Sequence, residues 1–230
     1  HTVIEILQSD MPFMVDSVRI ELNRRGLVIH TILNEVMLTR RDDGKLLKLC
    51  DASDKDASAE ALIYLEIDRT SDAAELKAIL KSLQQVLNQV NTVVTDFSKM
   101  QSRAHALLDE LSALSPVSQD LGEQAQDALA FLNWMLNNRF TFLGYDEISI
   151  ADGKVSRVPG CELGILKTKN SPDKLKECAI DDLSEEEQAL LLEPSVIMFA
   201  KDAQYSRVHR PAYMDRVNIK RFDAKGNVIG

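Results

Sequence analysis

Two carboxylates flank a proline where a predicted strand passes into a predicted helix, in the stretch SDMPFMVDSVRIELNRRG. Asp10 and Asp16 would suit general acid–base catalysis only inside a pocket that perturbs their pKa, and the sequence shows no such pocket. Both also suit the helix N-terminus, where free backbone N–H groups and the helix dipole favour carboxylates. We therefore expect them to cap the helix, and a ligand contact by Asp10 is the alternative.

A second candidate binding site lies near the C-terminal end, where the otherwise acidic chain is locally basic. Residues 201–225 contain seven Lys or Arg and three Asp or Glu residues, with Arg207, His209 and Arg210 close together. Such a cluster can receive an anion or an acidic surface of a partner chain. The alternative is a hairpin with solvent-exposed arginines, one of which pairs with Asp215. An enzyme that uses His209 with Asp215 is a third hypothesis, for which no substrate can be named.

The sequence contains none of the motifs that usually mark nucleotide, phosphate or metal chemistry. Gly-rich dinucleotide and triphosphate loops, HExxH, GxSxG and paired CxxC are all absent. The three cysteines, Cys50, Cys161 and Cys178, are far apart and predict free thiols in a reducing compartment. His30 falls in a predicted strand and His105 in a predicted helix, where structural roles are favoured. We expect no catalytic, cofactor-binding or metal-binding residue in this chain.

Hydrophobic periodicity predicts that residues 1–95 form a strand, a helix, two strands and a second helix. Alternating apolar residues predict strands in TVIEILQS, LVIHTILNEVMLTR and ALIYLEID, with an Asp-Gly hairpin turn in RDDGK. The first helix starts near Pro12 and ends at Gly26, and the second starts with a capping pair, Asp72 and Glu75. This order is typical of the split βαβ arrangement of ferredoxin-like folds.

The rest of the chain divides into helices and a second mixed region. Apolar stripes at helical spacing predict that residues 96–138 form a helical connector. The aromatic residues near its end are expected in a core: Phe131, Trp134, Phe140 and Phe142. From Arg139, β-like segments such as RFTFLGYDEISI alternate with short helices that start at Ser171–Pro172 and at Ser184. The sequence therefore predicts an α+β chain in three parts, namely residues 1–95, 96–138 and 139–230.

Length and composition exclude several classes of function. The chain has 230 residues, of which 45% are hydrophobic and 27% charged, as in ordinary globular proteins. A net charge of −9 argues against general nucleic-acid binding, which needs a basic surface. No apolar run approaches the roughly 20 residues of a membrane span, and no signal peptide opens the chain. A start at His1 rather than at methionine leads us to expect a piece of a longer product.

The stretch SDMPFMVDSVRIELNRRGLVIHTILNEVMLTRR resembles the N-terminal region of the large NAD-specific glutamate dehydrogenases of bacteria. LNNRFTFLGYDEISI, ELGILK and SRVHRPAYMDRVNIKRFDAKGNVIG resemble the same family in the same order, so the resemblance spans nearly the whole chain. It implies a cytoplasmic enzyme that converts L-glutamate and NAD to 2-oxoglutarate, ammonium and NADH. In this family the catalytic and nucleotide-binding domains lie well C-terminal to such a segment, so no catalytic residue carries over.

Residues 1–95 are also similar to ACT domains, which are βαββαβ modules that bind amino acids or pair with one another. Their ligand signal is an Asp-x-Pro-Gly junction, and the match here is Asp10, Met11, Pro12 and Phe13, which are the effector-binding candidates. Phe13 replaces the glycine that lets an amino acid approach the backbone N–H groups, which favours packing or subunit contact. Residues 139–230 are similar to the PAS-type sensory module of these enzymes and would form a partial PAS-like domain.

The sequence thus favours a non-catalytic N-terminal segment of a large NAD-dependent glutamate dehydrogenase, serving oligomer assembly and allosteric control. NAD belongs to the parent enzyme, and we expect no cofactor in this segment. The expected partners are the remainder of the parent chain, the other subunits of a homo-oligomer and a small amino-acid effector, with no nucleic acid and no membrane. The alternative is a free-standing ACT-type amino-acid sensor that regulates a partner protein.

Overall fold

The computed structural model describes residues 1–114, 119–167 and 177–230, so the helix start predicted at Ser171–Pro172 lies outside the described residues. The chain divides into two compact units. The first comprises His1–Val94 and Tyr205–Ala212, and the second comprises Thr95–Gln204 and Tyr213–Gly230. Both contain helices and strands, which confirms the α+β class. No helix within the described ranges combines the length and the apolar character needed to cross a lipid bilayer.

The first unit contains a four-stranded antiparallel sheet and two helices. In chain order its elements are β1 (Thr2–Ser9), α1 (Met14–Arg24), β2 (Ile29–Asp42), β3 (Lys45–Leu49), β4 (Ser58–Ile67) and the beginning of α2 (Ala73–Ser112). The strands lie in the order β1-β4-β2-β3, and β4 is antiparallel to both β1 and β2. The two strands that α1 connects therefore have β4 between them, and β3 follows the predicted Asp-Gly hairpin turn.

One face of this sheet is buried. Alternate residues of β4 are at most 2% exposed, together with apolar residues of α1 and α2: Ala61, Ile63, Leu65, Ile67, Val18, Leu22, Val86, Val90 and Val93. Each such Val, Leu or Ile side chain contributes about 1.5–3 kcal/mol relative to exposure to water. The strict alternation along β4 follows from the strand period of two, and the sheet thereby holds α1 in a fixed position.

The predicted turns of the first unit are confirmed. Asp43 and Gly44 have φ values of 44° and 77°, the left-handed conformation that a two-residue hairpin turn requires. Gly26, with a φ of 74°, follows the end of α1, and its N–H donates to the carbonyl of Asn23 at 2.9 Å. At the start of α2, the Asp72 carboxylate accepts from the N–H of Ala74 at 2.9 Å. Local chemistry thus sets the boundaries of these elements.

The second unit contains helices and several short strands. Its elements after α2 are α3 (Gln119–Trp134), a kinked turn (Met135–Arg139), β5 (Gly144–Tyr145), β6 (Ile148–Ala151), β7 (Lys154–Arg157), β8 (Leu163–Gly164), β9 (Cys178–Ala179), α4 (Glu185–Leu192), β10 (Ile197–Tyr205) and β11 (Tyr213–Ile219). The strands pair as β5-β8, β6-β7-β9 and β10-β11. The β-like stretch RFTFLGYDEISI contains the two short strands β5 and β6.

The core of the second unit joins α2, α3 and the residue before β10. Its buried members include Leu111, Leu121, Ala125, Leu132 and Val196. The predicted capping box at the start of α4 is confirmed, because Ser184 and Glu187 exchange both of its hydrogen bonds. The core position expected for Trp134 is wrong: its side chain is 50% exposed beside Phe131, with 5.5 Å between the ring centroids.

Candidate functional site

The connection between β1 and α1 lines a small cavity of about 120 Å³. Its walls come from this connection, the first turn of α1, β2 and β4: Asp10, Met11, Phe13, Met14, Val15, Asp16, Asn34 and Ala61. Three of the four effector-binding candidates are therefore brought together, whereas Pro12 is exposed. The volume is well below the roughly 300 Å³ of drug-sized sites, so the cavity suits a small molecule.

Phe13 occupies the N-cap position of α1 with a φ of 71°. This is the left-handed region, which glycine adopts freely and a residue with a bulky side chain rarely adopts. The Phe13 ring lies 4.7 Å from the His209 ring, measured between centroids, with a tilt of 60°. The chain thus keeps a backbone conformation that suits glycine while using the phenylalanine side chain for packing.

We expect Phe13→Gly to be more stable than Phe13→Ala by about 1 kcal/mol. Both variants lose the ring contact with His209, but only glycine relieves the left-handed strain, which costs a residue with a Cβ atom about 1–2 kcal/mol. Urea unfolding of the two variants, followed by helical circular dichroism, measures the difference. An alanine variant as stable as the glycine variant would contradict a strained backbone at this position.

The expectation that Asp10 and Asp16 accept hydrogen bonds at the start of α1 is wrong, whereas the expected interaction with the helix dipole holds for Asp16. Within the described residues, no side chain accepts a hydrogen bond at this N-cap. Asp16 lies in the first turn, where its charge interacts favourably with the helix dipole, and Arg19 Nη1 lies 4.0 Å from its Oδ1. Asp10 donates its backbone N–H to the carbonyl of Ala59 at 3.0 Å and lines the cavity. The first helical residue is Met14, two residues after Pro12.

The basic residues near the C-terminal end lie in Tyr205–Ala212, the connection between β10 and β11, which belongs to the first unit. Arg207 and His209 are partly buried there, whereas Arg210 is exposed. The backbone N–H of His209 donates to Ser17 Oγ at 3.3 Å, and Arg210 Nε donates to His209 Nε2 at 3.1 Å. All three predicted partner-contact residues thus make hydrogen bonds within the chain, Arg207 with Glu21.

Arg207 binds Glu21, a residue that the sequence analysis did not single out. The Glu21 side chain is fully buried. Its Oε1 accepts from Arg24 Nη2 at 2.8 Å, from Arg25 Nε at 3.0 Å and from the Ser82 hydroxyl. Its Oε2 accepts from Arg24 Nε at 3.0 Å and from Arg207 Nε at 2.9 Å. Three guanidinium groups and one hydroxyl therefore satisfy one buried carboxylate.

These contacts reverse the effect of burial on Glu21. Burial alone raises the pKa of a carboxyl group, because it disfavours the charged form. The hydrogen bonds from Arg24 and Ser82 and the charge of Arg207 outweigh burial and hold the pKa of Glu21 at about 2, against an ordinary value of 4.5. Glu21 is therefore an anion at neutral pH and provides a fixed buried negative charge.

The hypothesis of an enzyme that uses His209 with Asp215 gains no support from their contacts. Burial, together with the charge of Arg210, lowers the pKa of His209 below 6.5 and outweighs the opposing charge of Asp16. Asp215 forms an ion pair with Lys201, and not with an arginine as expected. His30, a residue of β2, bonds Asp68 at 2.8 Å. These contacts are those of structural residues.

A second buried carboxylate, Asp96 of α2, organises part of the second unit. It is 1% exposed and accepts from the Gly164 N–H at 3.0 Å and from Lys167 Nζ at 2.7 Å. Burial raises its pKa, but these bonds and the charges of Lys167 and Lys99 outweigh burial, so the pKa falls below 3.8. Asp96 thereby connects α2 to β8, 68 residues later in the sequence.

The cysteines and acidic residues form no metal centre in the part of the chain that the structure describes, where no group of three or more His, Cys, Asp or Glu side chains is placed to hold an ion. All three cysteines are free thiols. Cys161 is buried, and its Sγ accepts from the Glu147 N–H at 3.0 Å. Burial raises the pKa of this thiol, which makes it a poor nucleophile.

Comparison with known proteins shows which family the chain resembles. Residues 1–83 match the model for the glutamate dehydrogenase ACT1 domain. Over its full length the chain is 40% identical to the NAD-specific glutamate dehydrogenase of Halomonas elongata and 42% identical to that of Pseudomonas aeruginosa, and it spans 14% of each. It is 25% identical, over 71% of its length, to the NAD-specific glutamate dehydrogenase of Mycobacterium tuberculosis, of which it spans 10%. The chain is thus similar over its whole length to the N-terminal part of large NAD-specific glutamate dehydrogenases, and its first 83 residues match the glutamate dehydrogenase ACT1 domain.

Proposed function

We propose that this chain is a non-catalytic regulatory and oligomerisation segment of a large NAD-dependent glutamate dehydrogenase. The parent enzyme would be cytoplasmic and would deaminate L-glutamate oxidatively to 2-oxoglutarate, with NAD bound outside this segment. The observation that carries the proposal is the match over the whole chain to relatives of which it spans only 14%. A segment of that size leaves most of such a polypeptide to supply the catalytic and nucleotide-binding domains.

The proposed organisation has three parts. Residues 1–95 would form a ferredoxin-like, ACT-type domain, residues 96–138 a helical connector and residues 139–230 a partial PAS-like domain. The position of β4 between β1 and β2 supports the first assignment, because a split βαβ unit has this strand order. The ACT1 family match over residues 1–83 supports it independently.

The sheet of the first unit offers a surface for subunit assembly. Within the described residues, β1 has a neighbouring strand on one side only, so the N–H and C=O groups of its other edge are open for pairing. Val3 and Leu7 of this strand are 51% and 49% exposed on the face that alternates with the buried one. An edge strand with exposed apolar residues suits association with another subunit or with the remainder of the parent chain.

The cavity beside α1 is the proposed site of a small amino-acid effector. Asp10 and Asp16 supply negative charge suited to an ammonium group, while Met11 and Phe13 supply apolar contact. The small volume restricts the effector to amino acids with short side chains, and the Phe13 ring limits access to the helix N-terminus. This part of the proposal stands apart from assembly, since either property can exist without the other.

Deletion of residues 1–95 from the complete polypeptide tests the proposal. We expect turnover at saturating L-glutamate and NAD to stay within about twofold of the undeleted enzyme, because no catalytic group is removed. Light scattering should show smaller assemblies, and any response of the rate to glycine, L-alanine or L-serine should disappear.

A point variant separates assembly from the deletion's other effects. Leu7→Lys places a charge on the edge strand β1 and should reduce assembly, whereas Leu80→Lys, on an exposed leucine of the helix α2, should not. Turnover lost on deletion, in a polypeptide that remains folded and assembled, would contradict a non-catalytic role. Unchanged assembly and unchanged amino-acid response would contradict the regulatory and oligomerisation roles.

A further inference from the structure

The first unit contains an intrachain recognition site that neither the sequence motifs nor the family match assigns. We propose that Tyr205–Ala212 is a releasable latch, and that Phe13, Ser17 and Glu21 of the α1 region, together with Ser82 of α2, form the receptor surface that binds it through Arg207 and His209. Both the latch and the receptor surface belong to the first unit. The latch requires neither an effector in the cavity nor assembly through β1, although Phe13 lies both on the receptor surface and in the cavity wall.

The latch is organised before it binds. The Ser206 N–H donates to the Ala212 carbonyl at 2.9 Å and closes the turn. The Ser206 hydroxyl donates to the Val208 carbonyl at 2.7 Å and accepts from the Val208 N–H at 3.2 Å. His209 adopts a φ of 71°, which presents the residues on either side of it in a tight bend. A ligand held in its bound shape loses little entropy when it binds.

The receptor surface matches the latch residue by residue. Phe13, Ser17 and Glu21 follow one another at four-residue spacing and therefore lie along one side of α1. The Phe13 ring contacts the His209 ring, and Ser17 Oγ accepts from the His209 N–H. Glu21 accepts from Arg207 Nε, and the Ser82 carbonyl accepts from Arg207 Nη2 at 3.3 Å. The surface thus recognises a guanidinium and an imidazole presented by one turn.

The arrangement around Glu21 permits release. Removing one partner from an ordinary buried ion pair is costly, because it leaves an unpaired buried charge. Here Arg24 binds both carboxylate oxygens, and Arg25 and Ser82 bind one of them. When Arg207 leaves, the carboxylate still has these three partners. The released state therefore avoids the cost of an unpaired buried charge. The seated and the released latch are then two accessible states of the first unit.

Hydrogen exchange of the chain, read by mass spectrometry, tests the latch. Arg207→Ala should speed exchange of the His209 amide by about tenfold or more, because this N–H donates to Ser17 Oγ only while the turn is seated, whereas the Ser206 and Ala212 amides bond within the turn itself. Exchange in β4 should stay unchanged, since the core does not depend on Arg207. The matched control is Arg210→Ala, an exposed arginine of the same turn, which should leave both regions unchanged.

Three outcomes would overturn the proposal. Unchanged exchange of the turn in Arg207→Ala would show that Arg207 does not hold it. Faster exchange of β4 to the same degree would make Arg207 a general stability residue rather than part of a latch. Arg207→Lys should fall between wild type and alanine, because lysine keeps the charge but not the planar guanidinium. A lysine variant that exchanges as slowly as wild type would refute recognition of the guanidinium.

Discussion

Replacing Glu21 with glutamine should destabilise the first unit by about 3 kcal/mol at neutral pH. The Glu21 carboxylate is fully buried and accepts hydrogen bonds from three arginines and Ser82. The neutral amide of glutamine interacts weakly with guanidinium groups, and its NH₂ group faces some of these donors with no lone pair to accept their hydrogen bonds. The three cations would then share a buried site without an anion. Removing the one anion of such a network typically costs several kcal/mol, because all of its buried cations lose their partner.

The pH dependence of this effect has a defined sign. The folded-state pKa of Glu21, at about 2, lies below its ordinary value of 4.5. The charged carboxylate therefore contributes its full stabilisation above pH 4.5 and loses it as the pH falls towards 2. A depression of this size corresponds to about 3 kcal/mol at 1.36 kcal/mol per pKa unit. The difference in stability between wild type and Glu21→Gln should thus be largest at neutral pH and should shrink below about 1 kcal/mol near pH 2.

The first unit contains no tryptophan whose fluorescence could report its unfolding. Its stability is therefore measured by native-state hydrogen exchange of the β4 amides. The matched control is Glu35→Gln, an exposed glutamate of β2, which should change stability by less than about 0.5 kcal/mol. If Glu21→Gln protects β4 as well as wild type does at pH 7, the arginine cluster does not stabilise the unit. A stability difference that persists at low pH would show that hydrogen-bond shape, rather than charge, matters.

Much of the fold could be predicted from the sequence because it depends on local chemistry. The strand alternation of β4, the Asp-Gly turn, the helix stop at Gly26 and the capping box at Ser184 each involve residues within a few positions of one another. Periods of two and 3.6 residues report which face of an element is buried. The division of residues 1–95 into strands and helices follows from these signals alone.

The site could be predicted only in part, because its chemistry depends on contacts between distant residues. The sequence located Asp10, Met11 and Phe13 at one junction, and the cavity brings them together. The pairing of Glu21 with Arg207 spans 186 residues, and no local pattern reports it. One signal was available: Glu21 lies beside Val18 and Leu22 on the buried side of α1, where an acidic residue needs a partner.

Replacing Gly164 with alanine should destabilise the second unit by about 4 kcal/mol, more than most single substitutions do. Gly164 has a φ of 60°, and a Cβ atom there would lie 2.2 Å from the Leu143 carbonyl oxygen and 3.2 Å from Gly144 Cα. Both are backbone atoms, so no flexible side chain can move aside. The pairing of β5 with β8 would have to shift, and with it the hydrogen bond from the Gly164 N–H to the buried Asp96 carboxylate.

Gly160→Ala separates this clash from backbone strain. Gly160 has a φ of 75°, but no described heavy atom beyond its chain neighbours lies within 4 Å of the added Cβ, so its alanine variant should lose only about 1 kcal/mol. Urea unfolding followed by the fluorescence of Trp134, the single tryptophan of the chain, reports on the second unit. Equal losses for the two variants would mean that β5 yields to the Cβ atom and that left-handed strain alone accounts for the glycine. A loss confined to Gly164→Ala, with Asp96→Asn weakening the same unit, would show that α2 holds β8 through this one backbone amide.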